Sequence, residues 1–523
     1  MSLTKVTYAM IEGGAINPHD YGVIGDGTTD DAAAMQIAID EAVANQLPLL
    51  LAPVTYNITA NVLSATLAAG EKLIVIGNGA TFNTTIADAA NFYDGFFTID
   101  GTSTSEVVIN DFSITSDQAG AWSSARLRGK MVGLAIKTMA NVNLINVKVT
   151  GFAFINIWLY YMNKGLVLDC EGTNSIYAGL FMQSCEDVNV YGGVYNQNGG
   201  DNAGTIEGYG VSAAGKFDVA DRNNQRIKID GVTAIDNIGK GIDAHNCLQF
   251  VVTNCHVRGY GRQGIYAVNE AGGSKNVSNV VVSNNNVSGS GGTPLATSAN
   301  GIMVGSTEGG TVGSFVVSNN IVRSNTQSTV DGNGIFITNP DSGTLVGSVV
   351  VDGNTLDDAA EVTGSAIRIN NNSVNWPFIT VSNNVINQTV ACANGILVEK
   401  SENAIVSNNI IQTTSTMVNG IVSGTLVSAA FNGNILEGTF STSSISVLGA
   451  AYQIARGNLV NGTPFPDYAN TGATVDFASA APVSGSWFIG SVRWNIAPAI
   501  GQPIGWRCTV SGTPGTWVAM ANL

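Results

Sequence analysis

The heptapeptide KGIDAHN, Lys240 to Asn246, places an acid and a histidine two residues apart. In an extended strand residues i and i+2 project from the same face, so Asp243 and His245 can reach one substrate, and Lys240 enters from the preceding turn. General acid and base work needs such groups within hydrogen-bond reach of the moving proton, and Tyr266, one coil further on, is a fourth candidate. The competing chemistry is hydrolysis by two carboxylates, about 5–5.5 Å apart for retention or about 6.5–9.5 Å for inversion. The strand supplies Asp243 alone, so a partner must come from a loop: Glu207, Asp218, Asp221, Asp236 or Glu270.

The elements that must position these groups are legible as a repeat. From Val281 to Val460 one phrase returns seven times, as VVVSNNNV, FVVSNNIV, VVVDGNTL, ITVSNNVI, AIVSNNII, AAFNGNIL and QIARGNLV. Its Asn falls at Asn285, Asn320, Asn354, Asn384, Asn409, Asn434 and Asn458, a period of 24 to 35 residues. A second phrase sits between the first: GIMV at Gly301, GIFI at Gly334, AIRI at Ala366, GILV at Gly395 and GIVS at Gly420. Alternating β-branched residues punctuated by Gly, Asn and Ser predict strands, and a fixed period in this range predicts a solenoid or a propeller. A propeller blade of about 40–50 residues with four strands and a blade signature does not fit. Asn tolerates the left-handed backbone of a sharp bend, and its amide can bond to the same amide one rung away. Seven in register therefore predict stacked turns. Traced backwards through LIVIGNGA, VVINDFSI, VNLINVKV, LVLDCEG, VNVYGGVY, IKIDGVTA and VVTNCHV, the phrase makes about 14 rungs, or about 60–65 Å at roughly 4.8 Å per rung.

Sorting the Gly-Ile strands by face gives an outward column of Ala135, Trp158, Phe181, Ser212, Asp243, Tyr266, Met303, Phe336, Arg368 and Leu397. Beside it runs Lys137, Tyr160, Gln183, Ala214, His245, Val268, Gly305, Thr338, Asn370 and Glu399. Exposed aromatics at Trp158, Tyr160, Phe181 and Tyr266 predict a covered surface, either a groove floor on which sugars stack or a subunit interface. Two polar loops, Asn196 to Tyr209 and Gly215 to Gln225, supply groove walls, since extra length on a solenoid gathers on one face. Thirteen of the 22 Lys and Arg lie between Arg126 and Arg262. A positive patch there suits an acidic glycan on an otherwise acidic protein, and Gln183 and Arg262 join the aromatics as candidate binding residues.

Composition excludes several classes. A net charge of −16 argues against nucleic acid. Charged residues are 11% of the chain, against a usual ~25%, which suits polar uncharged turns. The six Cys have neither disulfide nor metal spacing. No apolar run approaches the ~18 residues of a membrane span, no signal segment opens the chain, and no phosphate loop or metal cluster stands out. The expectation is therefore no cofactor, no metal, no nucleic acid and no membrane insertion. His19 and His256 have no partner that spacing can name.

Near the start, DYGVIGDGTTDDAAAMQIAID places acids before an Ala-rich helix predicted over Ala32 to Asn45, with acids in its first turn and Pro48 beyond its end. This segment resembles the opening of the pectate-lyase-like right-handed parallel β-helices, notably phage tailspikes, in which a short helix caps the first coil. Asp20, Gly25, Asp26, Asp30 and Asp31 are then structural cap residues. The resemblance implies a right-handed parallel β-helix with an N-terminal capping helix. Its parts are a connector (1–16), the cap (17–60), the β-helix (61–465) and a small C-terminal β module (466–523). That last segment holds Trp487, Trp494, Trp506 and Trp517 and resembles short modules of phage tail proteins. The resemblance also implies a homotrimer at a virion tail or baseplate, attached through an N-terminal region outside this short lead-in. Acting at the host surface, it would bind and depolymerise a bacterial capsular or surface polysaccharide, with hydrolysis placed ahead of lyase chemistry. The D-x-H strand resembles that of alginate epimerases and related polyuronate lyases, with Lys240 standing where that family has its Tyr. A spike that binds glycan without cutting it is the third reading.

Overall fold

In the computed structural model of the protein the described residues are 14–89, 94–121, 126–202, 205–214, 223–269, 278–289, 299–306, 311–324, 332–338, 344–345, 347–369, 375–447, 452–465, 468–470, 475–485, 487 and 489–522. Helix α1 spans Ala32–Asn45 and buries Met35, Ala38, Ile39 and Ala42, the one-face spacing of an amphipathic helix. Gln46 ends it in the left-handed region. Three of the acids ahead of α1 hold backbone, although Asp31, at the N-cap position, makes no side-chain bond to the helix itself. Asp31 accepts from the amides of Ile24 and Gly25, Asp30 from Thr59 and Ala60, and Asp26 from Thr28 and Thr29. They precede the helix; its first turn contains no acid.

Behind the cap the chain winds into a parallel β-helix. Each coil lays strands on three parallel ladders, as one step shows: Asn224–Asp230, Thr233–Ile235 and Lys240–His245 pair in turn with Cys247–Thr253, His256–Arg258 and Gln263–Asn269. Fourteen strands carrying the repeated phrase stack in one unbroken parallel ladder from Lys72–Thr84 to Tyr452–Arg456. The lumen is filled by their inward Val, Ile, Leu and Phe. At the far end Leu459–Val460 and Tyr452–Arg456 meet antiparallel partners, which closes the ladder where the repeat stops.

The Asn ladder exists as expected. The backbone amide and Nδ2 of Asn285 both donate to Oδ1 of Asn320, at 3.0 and 2.9 Å. The same pair of bonds links each Asn to the next as far as Asn458, at 2.9 to 3.1 Å. The left-handed backbone belongs to the residue before each ladder Asn: Asn284, Asn319, Gly353, Asn383, Asn408, Gly433 and Gly457. Bend and ladder are thus divided between neighbours, because an amide turned inward to bond along the stack must leave the sharp φ to another residue.

The Gly of the Gly-Ile phrase has a separate cause. A Cβ at Gly301 would lie 2.7 Å from the carbonyl of Gly334 and 2.4 Å from Val322 Cγ1, and Gly264 meets Gly301 in the same way. Adjacent coils approach too closely there for a side chain. Gly301→Ala is expected to lower stability by about 1–3 kcal/mol through overpacking, read as a fall in Tm with the β signal of the folded protein retained.

The first long insertion folds back on the coil. Gly200–Asn202 and Thr205–Glu207 form a hairpin, and Leu127 bridges to Asp201. Buried Arg126 clamps the bend beneath it, donating to the carbonyls of Ser175 (2.7 Å) and Gly199 (2.7 Å) and to Asn174 Oδ1 (2.6 Å). Burial pushes this guanidinium down to about 10. The C-terminal segment forms a separate sheet of Val475–Ala478, Val492–Asn495, Gly505–Val510 and Thr516–Ala519. Trp487 and Trp517 pack edge to face within it. All six Cys are buried and none is in a disulfide. Among the described residues no helix is long and apolar enough to cross a membrane, which says nothing of a β-barrel.

Candidate functional site

The outward columns stack in the expected register. Ala135, Trp158, Phe181, Ser212, Asp243, Tyr266, Met303, Phe336, Arg368 and Leu397 pair in succession. Lys137, Tyr160, Gln183, Ala214, His245, Val268, Gly305 and Thr338 do the same beside them.

Their exposure departs from expectation. Trp158, Phe181 and Tyr266 are buried, and only Tyr160 keeps partial exposure. The lower aromatics form an apolar cluster outside the lumen with Val132, Phe154, Ile155 and Ala178. Trp158 stacks on Tyr160, with ring centroids 5.1 Å apart. Arg128 lies over the rings of Phe154 and Tyr177, 5.2 Å from each, and bonds to Glu207 of the folded-back hairpin at 2.8 Å. A second external cluster, Tyr266, Val268 and Met303 with Phe336, lies higher on the same face. Aromatic area too costly to leave in water is thus covered within the chain.

Between the two clusters sits a polar one. Lys240 Nζ and His245 Nε2 each lie 2.8 Å from Asp243 Oδ1, and 3.0 Å from each other. Ser212, one rung below, donates its hydroxyl to Asp243 Oδ2 at 2.8 Å. The Lys240 ammonium stands 3.4 Å from the centroid of the Tyr266 ring, an arrangement that stabilises a desolvated cation. The Asp243 side chain is 1% exposed, Lys240 6% and His245 21%. Burial pushes the Asp243 carboxyl up, but the charges of His245 and Lys240 outweigh it and hold the group well below the usual carboxylate range. Asp243 is therefore an anion at neutral pH with both oxygens occupied, and His245 is the member that reaches the surface. Burial, followed by the nearby Tyr177 and Asp243, holds the Tyr209 phenol far above its ordinary value.

The expected residues thus divide. Asp243, His245, Lys240 and Tyr266 come together. Glu207 is committed to Arg128. Asp236 occupies a left-handed bend. Glu270, Asp218 and Asp221 lie outside the described residues. Gln183 is buried in its column, and half-buried Arg262 bears electrostatically on Tyr209. The expected positive patch is partly neutralised: Arg128, Lys137, Lys148, Arg226, Lys228 and Lys240 each have an acid within salt-bridge distance. Ser212 was missed as a site member, although a hydroxyl directly below an acid in a mostly apolar column was a readable signal. Among the described residues no group of three or more His, Cys, Asp or Glu is placed to hold a metal.

Residues 132–312, which contain the whole cluster, match the family described as right handed beta helix region, and this gives the coil its hand. Among solved structures, the Dettilon tailspike protein overlaps at 14% identity and a TM-score of 0.45, over 71% of this chain and 65% of that one, so the match spans under two thirds of its length. The tailspike of E. coli bacteriophage HK620, in complex with a pentasaccharide, overlaps at 12% identity and a TM-score of 0.46, over 96% and 92% of the two chains. PfbA, a surface adhesin of Streptococcus pneumoniae, overlaps at 14% identity and a TM-score of 0.41, over 97% and 100%. The curated proteins contain no match to this chain.

Proposed function

We propose that the protein is a tailspike-like spike that binds an acidic bacterial surface polysaccharide and cleaves it by β-elimination at His245. The observation that carries this reading is the Lys240, Asp243 and His245 cluster. A carboxylate 1% exposed, with Ser212 on one oxygen and two nitrogens on the other, has no oxygen left to reach a glycosidic bond, so hydrolysis by two carboxylates loses its strand member. The same carboxylate is well placed to orient an imidazole. With Nε2–H donated to Asp243, His245 has Nδ1 as its acceptor. Nδ1 takes the proton α to a uronate carboxylate, the C4–C5 double bond forms as the C4–O4 bond breaks, and the imidazolium returns the proton to the departing oxygen. Asp243 stabilises the imidazolium, Lys240, itself held against the Tyr266 ring, keeps the carboxylate in place, and Arg262 is the candidate partner for the substrate carboxylate.

The reading extends to a homotrimer on a virion tail acting at the host surface. It draws support from apolar side chains left in water on the C-terminal segment, such as Val483 and Ile500. The depth of Asp243 favours one alternative, a spike that binds without cutting. Incubation with uronate-containing surface polysaccharides decides among them. New reducing ends together with the ultraviolet absorbance of unsaturated uronates are expected, and His245→Ala is expected to remove both, by at least about a hundredfold, as befits a general base. Reducing ends without absorbance would establish a hydrolase. Binding with neither signal would leave the adhesive spike.

A further inference from the structure

We propose a second ligand site, separate from the Asp243 cluster, in a cleft of about 470 Å³ on the N-terminal coils, which takes an anionic sugar unit of a polysaccharide. The volume falls within the range of about 300–1,000 Å³ typical of small-molecule sites. Its lining combines apolar side chains, Val62, Ile86 and Met131, with polar ones, Asp94, Thr98 and Lys137. Asp88 at its edge is structural, accepting the amides of Lys130 (2.8 Å) and Met131 (2.9 Å) and so fixing Met131.

Lys137 is the recognition group. Its ion pair with Asp100 is long, at 3.8 Å to a half-exposed side chain, and its ammonium lies 5.6 Å from the centroid of the Trp158 ring. So loose and exposed an ion pair contributes little, and it yields to a ligand carboxylate at small cost. An anionic sugar offers a carboxylate to Lys137, hydroxyls to Thr98 and Asp94, and its C–H face to the apolar side chains. A neutral apolar ligand leaves the ammonium unused.

Position relates the cleft to the cluster. Lys137 pairs with Tyr160, Tyr160 with Gln183, Gln183 with Ala214 and Ala214 with His245. Four rungs separate Lys137 from His245, or ~19 Å at ~4.8 Å per rung, on one side of the coil. A long chain can occupy both places at once, whereas a short fragment occupies them independently. The site rests on the polysaccharide reading for the class of its ligand and on no reaction.

Titration calorimetry with uronic-acid oligosaccharides of graded length tests it, using the full chain carrying His245→Gln to prevent turnover. Short fragments are expected to fill two sites per chain, and one when Lys137→Gln is added. Long fragments are expected to lose affinity about tenfold in Lys137→Gln, the equivalent of about 1.4 kcal/mol. Thr98→Met, which fills the cleft without changing charge, is expected to act in the same direction. Parent stoichiometry and affinity in both variants would overturn the site, as would failure of every fragment to bind. Binding that weakens in Lys137→Gln while the parent cleaves nothing keeps the cleft and removes the reaction. Cleavage with unaltered binding removes the cleft alone.

Discussion

Asp243→Asn is expected to lower the unfolding free energy at pH 7 by about 3–5 kcal/mol, because breaking a buried ion pair strands the remaining charge. The substitution is nearly isosteric, so packing changes little. What changes is that Lys240, 6% exposed beneath Tyr266, loses its counter-charge. Urea unfolding measures the loss. A double variant, Lys240→Met with Asp243→Asn, is expected to recover much of it, since replacing both partners is far cheaper than removing one. Additive losses in the double variant would mean that the pair is not coupled. The effect also has a defined pH dependence. In the unfolded chain an Asp titrates near about 3.9, and in the folded protein Asp243 is held well below that. Its contribution is therefore complete above about pH 4 and is lost as pH falls through the depressed folded value. The gap between parent and variant should persist from neutral pH down to about 4 and close only below it. A gap that closes between pH 5 and 7 would contradict the assignment.

Asn354→Ala, in the middle of the ladder, is expected to cost about 3–5 kcal/mol, because each stranded buried polar group costs about 1–3 kcal/mol. Three are stranded at once. The backbone amide and Nδ2 of Asn320 lose Oδ1 of Asn354, and the Val317 carbonyl loses its Nδ2 donor. Asn354→Asp separates the two halves of that inventory. It keeps an acceptor for Asn320 but turns a carboxylate oxygen toward the Val317 carbonyl and Asn384 Oδ1. It should therefore be at least as destabilising at neutral pH and partly relieved in acid, when the carboxyl can donate. Because a solenoid is stabilised rung by rung, hydrogen exchange should report the loss first in the coils flanking Asn354. Uniform loss along the whole stack would instead mean that the ladder acts as one cooperative unit.

What the sequence by itself determined is everything that repeats. A β-helix satisfies its backbone and its bends in the same way on each rung, so the spacing of Asn285 to Asn458 and of the Gly-Ile phrases was enough to place strands, lumen and outward columns. It also put Asp243, His245 and Lys240 within reach of one another. Helix α1 was legible for a related reason, since its apolar spacing is local. The tertiary structure alone decided what lies over those columns. The burial of Trp158 and Phe181, the hold of Arg128 on Glu207 and the clamp of Arg126 on the bend all join segments some 50 to 80 residues apart through insertions that follow no period. The same holds for the ionisation of Asp243. Whether an acid is a free catalyst or an anchored anion depends on how far it is removed from water and on which charges face it, and a pattern of residue types along the chain contains neither distance.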